Sequence, residues 1–301
     1  MSDGVLILAG ATASGKTDLA IELAHQFDAE IVGADSRQIY RGMPVGTAAP
    51  SPEQLASVPH HLIGFLDPQE RYSAARYAAD AGSAIREIHG RGKRAIVVGG
   101  TGFYLRALTG GVELAPQHDE AIRARLALEA RLHPPEFLHE WLALRDPERA
   151  RALHPGDTYR VLRALEVVLA PVSTVRDRPV ATLASERIPW QMVFLDVPTA
   201  ELDARIATRT DTMLERGLVG EAERAGSDAV AATAVGYPQA LAFARGWCSY
   251  EELRVSLARA TRRYARRQRA WFRAERDVMW LPQDAVAGAA REKLGWSANR
   301  T

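Results

Sequence analysis

Val5-Leu6-Ile7-Leu8-Ala9-Gly10-Ala11-Thr12-Ala13-Ser14-Gly15-Lys16-Thr17 reads as strand, loop and helix start, and everything else in the chain is organised around it. Val5 to Ala9 is a short, unbroken apolar run suited to a strand buried on both faces. Gly10, Ala11, Thr12, Ala13, Ser14, Gly15, Lys16 and Thr17 fit G-x-x-x-x-G-K-[ST] at every constrained position, and a helix-length stretch, Lys16 to Phe27, follows. The glycines let the backbone curl so that successive N–H groups and the helix N-terminus converge on a phosphate. Lys16 adds a positive charge, and the Thr17 hydroxyl is placed to ligate Mg²⁺.

Working outward, Glu30 to Ala34 and Arg94 to Val98 have the same strand character, and Ser73 to His89 is helix-length. Strand and helix alternate, which predicts an α/β fold: a P-loop-type parallel sheet flanked by helices, with ligands at the strand C-termini. From about His118 to Leu169 the pattern is helical only, interrupted by Pro134-Pro135, Pro147 and Pro155, and reads as an all-helical insert. Gln191 to Val197 returns to strand character, Thr199 to Glu215 to helical periodicity, and Gly217 stands near that helix's end. A long helix over Tyr250 to Glu275 precedes Val278-Met279-Trp280-Leu281, an expected edge strand. The expected domains are residues 1–117 with 190–301 as the core and 118–189 as the insert.

The 301 residues are enough for a main domain with an insert. With 38 Lys plus Arg against 37 Asp plus Glu, no global basic field advertises a nucleic-acid partner, so any such partner must meet a local patch. A single cysteine, Cys248, excludes an intramolecular disulfide or a cysteine-cluster metal site and suits a cytoplasmic location. The first apolar run lacks a basic flank and is too short for a signal peptide, and charges interrupt every other apolar run. A soluble protein with no membrane partner is expected, and a monomer.

A phosphate loop of the kind ATP-binding proteins carry does not name a reaction. Phosphoryl transfer from a nucleotide and a reaction that expels diphosphate both stay open. Asp35, at the end of the second strand, lies near the loop in a parallel sheet and is placed to act as a base, although an Asp at a strand end is more often a cap or turn residue.

The residues around Asp35 carry more. Ala34-Asp35-Ser36-Arg37-Gln38-Ile39-Tyr40-Arg41-Gly42-Met43, with Gly46-Thr47-Ala48, closely resembles the bacterial tRNA dimethylallyltransferases, also called isopentenylpyrophosphate transferases. In order follow His60-His61, Asp67-Pro68, Tyr72-Ser73-Ala74, and Val98-Gly99-Gly100-Thr101-Gly102-Phe103-Tyr104. The insert supplies His154-Pro155-Gly156-Asp157 with Arg160 and Arg163-Ala164-Leu165-Glu166. Arg205-Ile206 with Arg209 and Met213, Gly217-Leu218, Val235-Gly236-Tyr237, and Arg267-Gln268 with Trp271-Phe272-Arg273 complete a resemblance covering almost the whole chain. Ala49 stands where the family commonly has lysine, Pro238-Gln239 where Lys-Glu is frequent, and Gly156 where asparagine is frequent.

The resemblance implies transfer of a dimethylallyl group from dimethylallyl diphosphate to the exocyclic N6 amine of the adenosine just 3′ of the tRNA anticodon. It implies Asp35 as general base, Thr101 positioning the acceptor, and Arg209 with the phosphate loop and Mg²⁺ on the diphosphate. The tRNA contacts it implies are Asp35, Ser36, Arg37, Gln38 and Thr101 in the core, with Arg123, Tyr159, Arg160 and Arg163 in the insert. The target base must leave its stack to react. Arg259, Arg262, Arg266, Arg269 and Arg273 recur at spacings of three and four, with no acid between Arg254 and Ala274, and are expected on RNA phosphates. No eukaryote-like zinc-finger contact is expected. The alternatives are an adenylate isopentenyltransferase, a P-loop small-molecule kinase, and an RNA-binding protein with a relic loop.

Overall fold

The computed structural model describes residues 4–112, 119–170, 181–227 and 229–298, which fall into two compact units. The first comprises residues 4–112 and 181–298. It is built on a six-stranded parallel sheet of β1 (Val5–Gly10), β2 (Ala29–Gly33), β3 (His60–His61), β4 (Arg94–Gly99), β5 (Trp190–Leu195) and β6 (Val278–Leu281), in the order β3-β2-β4-β1-β5-β6. Its helices are α1 (Lys16–Phe27), α2 (Pro44–Thr47), α3 (Pro52–Ser57), α4 (Ala74–Gly90) and α5 (Gly102–Thr109). The second unit holds α6 (Glu120–Leu132), α7 (Pro135–Arg145), α8 (Pro147–Arg151) and α9 (Thr158–Leu169). After it the first unit resumes with α10 (Thr199–Glu215), α11 (Leu218–Ala225), α12 (Tyr237–Ala244), α13 (Tyr250–Arg273) and α14 (Val286–Leu294). The alternation of strand and helix and the parallel sheet are as expected.

β1 occupies the middle of the sheet because nothing in Val5 to Ala9 needs water: all five residues are 0% exposed. It pairs with β4 on one side (Leu6↔Ile96, Leu8↔Val98) and β5 on the other (Leu6↔Gln191, Leu8↔Val193). β2 joins the far side of β4. α1 covers this core with Leu19, Ala20, Leu23, Ala24 and Phe27, the i, i+4 pattern of one apolar stripe. β6 is the edge strand expected, paired to β5 through Phe194↔Trp280. β3 was not anticipated; two histidines carry no strand signal, and the pairing Ile31↔His60 and Val32↔His61 is the work of the surrounding chain.

A second core, under α10 to α13, encloses Met43, Leu218, Tyr237, Leu253 and Leu257. A carboxylate sits inside it. Glu221 is 2% exposed and accepts hydrogen bonds from Val45 N (2.8 Å), Gly46 N (2.7 Å) and the Tyr237 hydroxyl (2.7 Å). Glu221 thus serves the first N–H groups of α2, which a helix leaves unpaired. Gly46 is required there, since a Cβ would lie 2.5 Å from the Tyr237 ring.

Residues 181–189, assigned to the insert in the sequence reading, pack with the first unit. Leu183 is buried and its N–H donates to Leu108 O (2.9 Å), Arg86 pairs with Glu186 (2.6 Å), and Val5 N donates to Pro189 O (2.9 Å). Leu183 and Ile188, five positions apart, make neither a helical stripe nor a strand alternation for the sequence to reveal. The expected start of the insert at His118 lies outside the described residues.

The second unit has its own core of Leu126, Leu138, Leu142, Ala150, Val161, Ala164 and Leu165. Asp119, Asp146 and Asp157 cap α6, α8 and α9 by accepting from main-chain N–H groups. Pro135 and Pro147 begin α7 and α8, where a missing N–H costs nothing. No helix among the described residues is long and apolar enough to cross a membrane.

Glu221→Ala leaves the Val45 and Gly46 N–H groups without an acceptor, while the Tyr237 hydroxyl keeps Met43 O (3.3 Å), and equilibrium urea unfolding is expected to show a loss of about 2 kcal/mol or more. Tyr237→Phe removes one donor and leaves the carboxylate with two, so its loss should be about 1 kcal/mol.

Candidate active site

Three turns meet at the C-terminal edge of the sheet: the phosphate loop after β1, residues 34–38 after β2, and residues 100–102 after β4. Their strands are neighbours and parallel, so the turns are neighbours too. In the loop, Ala13 and Gly15 take positive φ (64° and 87°) and Ser14 N donates to Ala11 O (3.2 Å), giving the curl expected from its glycines. Gly10 is needed because a Cβ there would approach Ser14 Oγ to 2.6 Å. Lys16 Nζ donates to Ala11 O (3.3 Å).

Beside the loop is a cleft of about 540 Å³, whose lining includes Ser14, Lys16, Thr17, Arg205, Arg209 and Arg216. Asp18 is the one acid in that lining. Arg205 donates to Ser14 O (2.9 Å) and pairs with Glu201 (2.6 Å). Arg209 Nε and Ser14 Oγ are enclosed and have no partner among the described residues. Buried polar groups without partners are expensive, and a bound anion satisfies both. Ala49 also lines the cleft, so the lysine common in the family at that position would add another cation here.

The electrostatics point the same way. Burial lowers the Lys16 ammonium to about 8, nearby Asp35 offsets part of that fall, and Arg209 adds to it. Burial also pulls the Arg209 guanidinium below its ordinary value, again partly offset by Asp35. Asp35 does not line the cleft, yet it acts on both cations. Burial, and Asp35 after it, raise the Tyr264 phenol on α13. Asp35 is therefore the carboxylate shared by the cationic cradle and α13.

The acceptor-side turn is held by backbone contacts. Asp35 Oδ1 accepts from Arg37 N (2.9 Å), Thr101 Oγ1 accepts from Ser36 N (2.9 Å), and Thr101 N donates to Ala34 O (3.2 Å). Thr101 thus orders the strand end that carries Asp35. Gln38 Nε2 donates to Thr47 O (3.2 Å) and Ala48 O (2.9 Å), so its amide hydrogens are engaged and its carbonyl oxygen is left as the group to offer.

The insert residues Arg123, Tyr159, Arg160 and Arg163 all lie in the second unit. Arg123 and Arg163 pair with Glu166, which is 5% exposed, at 3.4 and 3.0 Å. Both hold the unit's core together. Arg160 pairs with Asp157 (2.7 Å), while Tyr159 is 72% exposed.

The basic stripe of α13 is less uniform than its sequence. Arg262 pairs with Asp203 of α10 (3.4 Å), and Arg269 donates to Val197 O (2.8 Å), pairs with Asp196 (3.1 Å) and lies over the Trp280 ring. Arg273 also lies over Trp280, and Arg259 and Arg266 are exposed. The acids that answer the stripe stand on other elements, which the spacing along α13 does not reveal. Sequence reasoning placed Gln268 in the Arg267-Gln268 run of the family resemblance but gave no role to this buried amide.

For a divalent cation, Thr17 supplies a hydroxyl at the cradle, and no group of three or more His, Cys, Asp or Glu among the described residues could cage one. These residues fit a hard cation that arrives with a diphosphate and takes most of its oxygens from it.

Residues 38–275 match the family model described as IPP transferase. The chain belongs to the IPP transferase family. Residues 3–64 match a second model, isopentenyl transferase. The tRNA dimethylallyltransferase 2 of Geotalea uraniireducens is 42% identical to this family member over 288 residues, covering 92% of this chain and 91% of that one. The crystal structure of the full-length tRNA isopentenylpyrophosphate transferase from Bacillus halodurans superposes with a TM-score of 0.70 at 33% identity, covering 97% of each chain. A eukaryotic dimethylallyltransferase acting on tRNA shares the fold, with a TM-score of 0.73 at 24% identity over 97% of this chain and 76% of that one.

Lys16 gives the site a pH signature. With the folded value near 8 against 10.5, the folded protein holds fewer protons than the unfolded chain between those pH values, so the cost of burying the ammonium is relieved as pH rises through that window. A bound diphosphate favours the ammonium. The affinity for a diphosphate monoester should therefore fall above pH 8, approaching about tenfold per pH unit, in titrations from pH 7 to pH 10. A flat profile would contradict the assignment of Lys16 as the titrating cation.

Proposed function

We propose that the chain transfers the dimethylallyl group of dimethylallyl diphosphate to the N6 amine of the adenosine 3′-adjacent to a tRNA anticodon. The observation that carries this reading is the placement of one carboxylate, Asp35, within electrostatic reach of Lys16 and Arg209, in a chain of the IPP transferase family. A cradle with a carboxylate beside it would also serve phosphoryl transfer to a hydroxyl, and it is the family match that favours a cradle for a diphosphate leaving group and a base for an amine.

The bond that forms joins the adenine N6 to the allylic C1. The bond that breaks joins C1 to the diphosphate oxygen, and its electron pair leaves with the diphosphate. An aromatic amine is a weak nucleophile because its lone pair is delocalised, and Asp35 takes its proton as the new bond forms. The N–H groups of the loop, Lys16, Arg205 and Arg209 are fixed in advance where charge grows on the leaving group. Mg²⁺, held through Thr17 and the diphosphate, supplies further charge stabilisation when bound. Thr101 orders the turn that carries Asp35, and Gln38 presents a hydrogen-bond acceptor suited to an amino group. Tyr159 and the exposed arginines Arg259 and Arg266 are the groups free to meet RNA. A cytoplasmic location and a monomeric state belong to the same reading.

The test is transfer of radiolabel from dimethylallyl diphosphate to unmodified tRNA with Mg²⁺, with AMP offered as a competing acceptor. Label is expected in tRNA, lost on chelation of the metal and reduced by about 10²- to 10⁴-fold in Asp35→Ala. Label in AMP alone would assign the chain to adenylate prenylation, and ATP consumption without prenyl transfer to a kinase.

A further inference from the structure

Gln268 is 6% exposed on α13, and both ends of its amide are engaged. Its Oε1 accepts from Thr12 N (2.8 Å) in the phosphate loop, and its Nε2 donates to Gly100 O (3.0 Å) on the turn after β4. The approach is close: a Cβ at position 100 would lie 2.1 Å from Nε2 and would displace the amide. One turn along α13, Trp271 sits against Gly102, where a Cβ would meet the indole at 2.2 Å. The turn that Gln268 grips continues into Thr101, which binds Ala34 O and Ser36 N and so leads to Asp35. On the outer side of the same helix Arg266 and Arg267 are exposed, and Arg267 lies over the Tyr264 ring.

A buried amide inside an otherwise apolar helix face is tolerated only when both its groups are paired. Here the two partners come from different strand ends, one belonging to the diphosphate side and one to the acceptor side. A single rigid side chain therefore fixes the separation of the two half-sites. Neither partner is a side chain, so this separation is independent of the residue types in the loop.

We propose that Gln268 is a positioning residue that couples the two half-sites, so that a ligand ordering one turn raises affinity at the other. The proposal rests on the prenyl-transfer reading, which supplies the two ligands. Coupling between bound sites is reciprocal and is read as a ratio of affinities.

The experiment titrates inorganic diphosphate with Mg²⁺ in the presence and absence of an unmodified anticodon stem-loop RNA. In the wild-type protein the RNA is expected to tighten diphosphate binding by on the order of tenfold. In Gln268→Ala each ligand alone should bind within about threefold of wild type, the RNA should no longer tighten diphosphate binding, and kcat should fall by about 10²-fold with KM little changed. If Gln268→Ala shows no cooperative thermal transition, Gln268→Glu is read instead. It keeps the acceptor for Thr12 N and loses the donor to Gly100 O, and the same loss of coupling is expected. Absence of coupling in the wild type, or coupling that persists in the folded variant, overturns the proposal. A wild-type protein that binds no stem-loop RNA at all would count against the prenyl-transfer reading instead.

Discussion

The parallel pairing of β2, β4 and β1 is the constraint on which the site depends. Adjacent strands of a sheet run roughly 4.8 Å apart, so three residues a few positions beyond their ends have no choice but to be neighbours. β4 lies between the other two, and its exit must pass without side chains. A Cβ at Gly99 would lie 2.1 Å from Ala34 O, which is inside any allowed contact. The two glycines after Val98 are the condition under which Asp35 and the phosphate loop face each other across one turn.

That arrangement concentrates cations around a space shaped for an anion. Lys16 and Arg205 are held by the loop's own carbonyls, Arg205 also pairs with Glu201, and Lys16 and Arg209 feel the field of Asp35. Burial is the main cause of the lowered Lys16 value, and repulsion from Arg209 adds to it. Such a cradle is costly when empty and needs little rearrangement when filled, which is the form electrostatic catalysis takes in a folded protein.

Much of this was legible in the residues. β1, the loop and α1 read correctly because an apolar run, a spaced pair of glycines and an amphipathic stripe are all local signals. α10 and α13 were equally clear from their periodicity. What escaped was non-local. β3 exists because β2 offers it an edge, and residues 181–189 join the first unit through Leu183, Glu186 and Pro189, whose partners are far away in the chain. Gln268 is polar for partners at Thr12 and Gly100, far away in the chain. The acids that pair with Arg262 and Arg269 of α13, Asp203 and Asp196, stand on other elements, and the spacing along the helix does not show them. Arg123 and Arg163 likewise share a buried glutamate.

The insertion of a helical unit between β4 and β5 has a consequence for how the chain assembles. The second unit has its own core, made of contacts between residues close in sequence, and such structures form quickly. The sheet cannot finish so early. β1 has β4 available on one side from the start, but its other side waits for β5, which the ribosome delivers only after the whole insert has emerged. Until then one flank of β1 is bare, and a partly made chain exposes a fully apolar strand edge while its second unit is already complete.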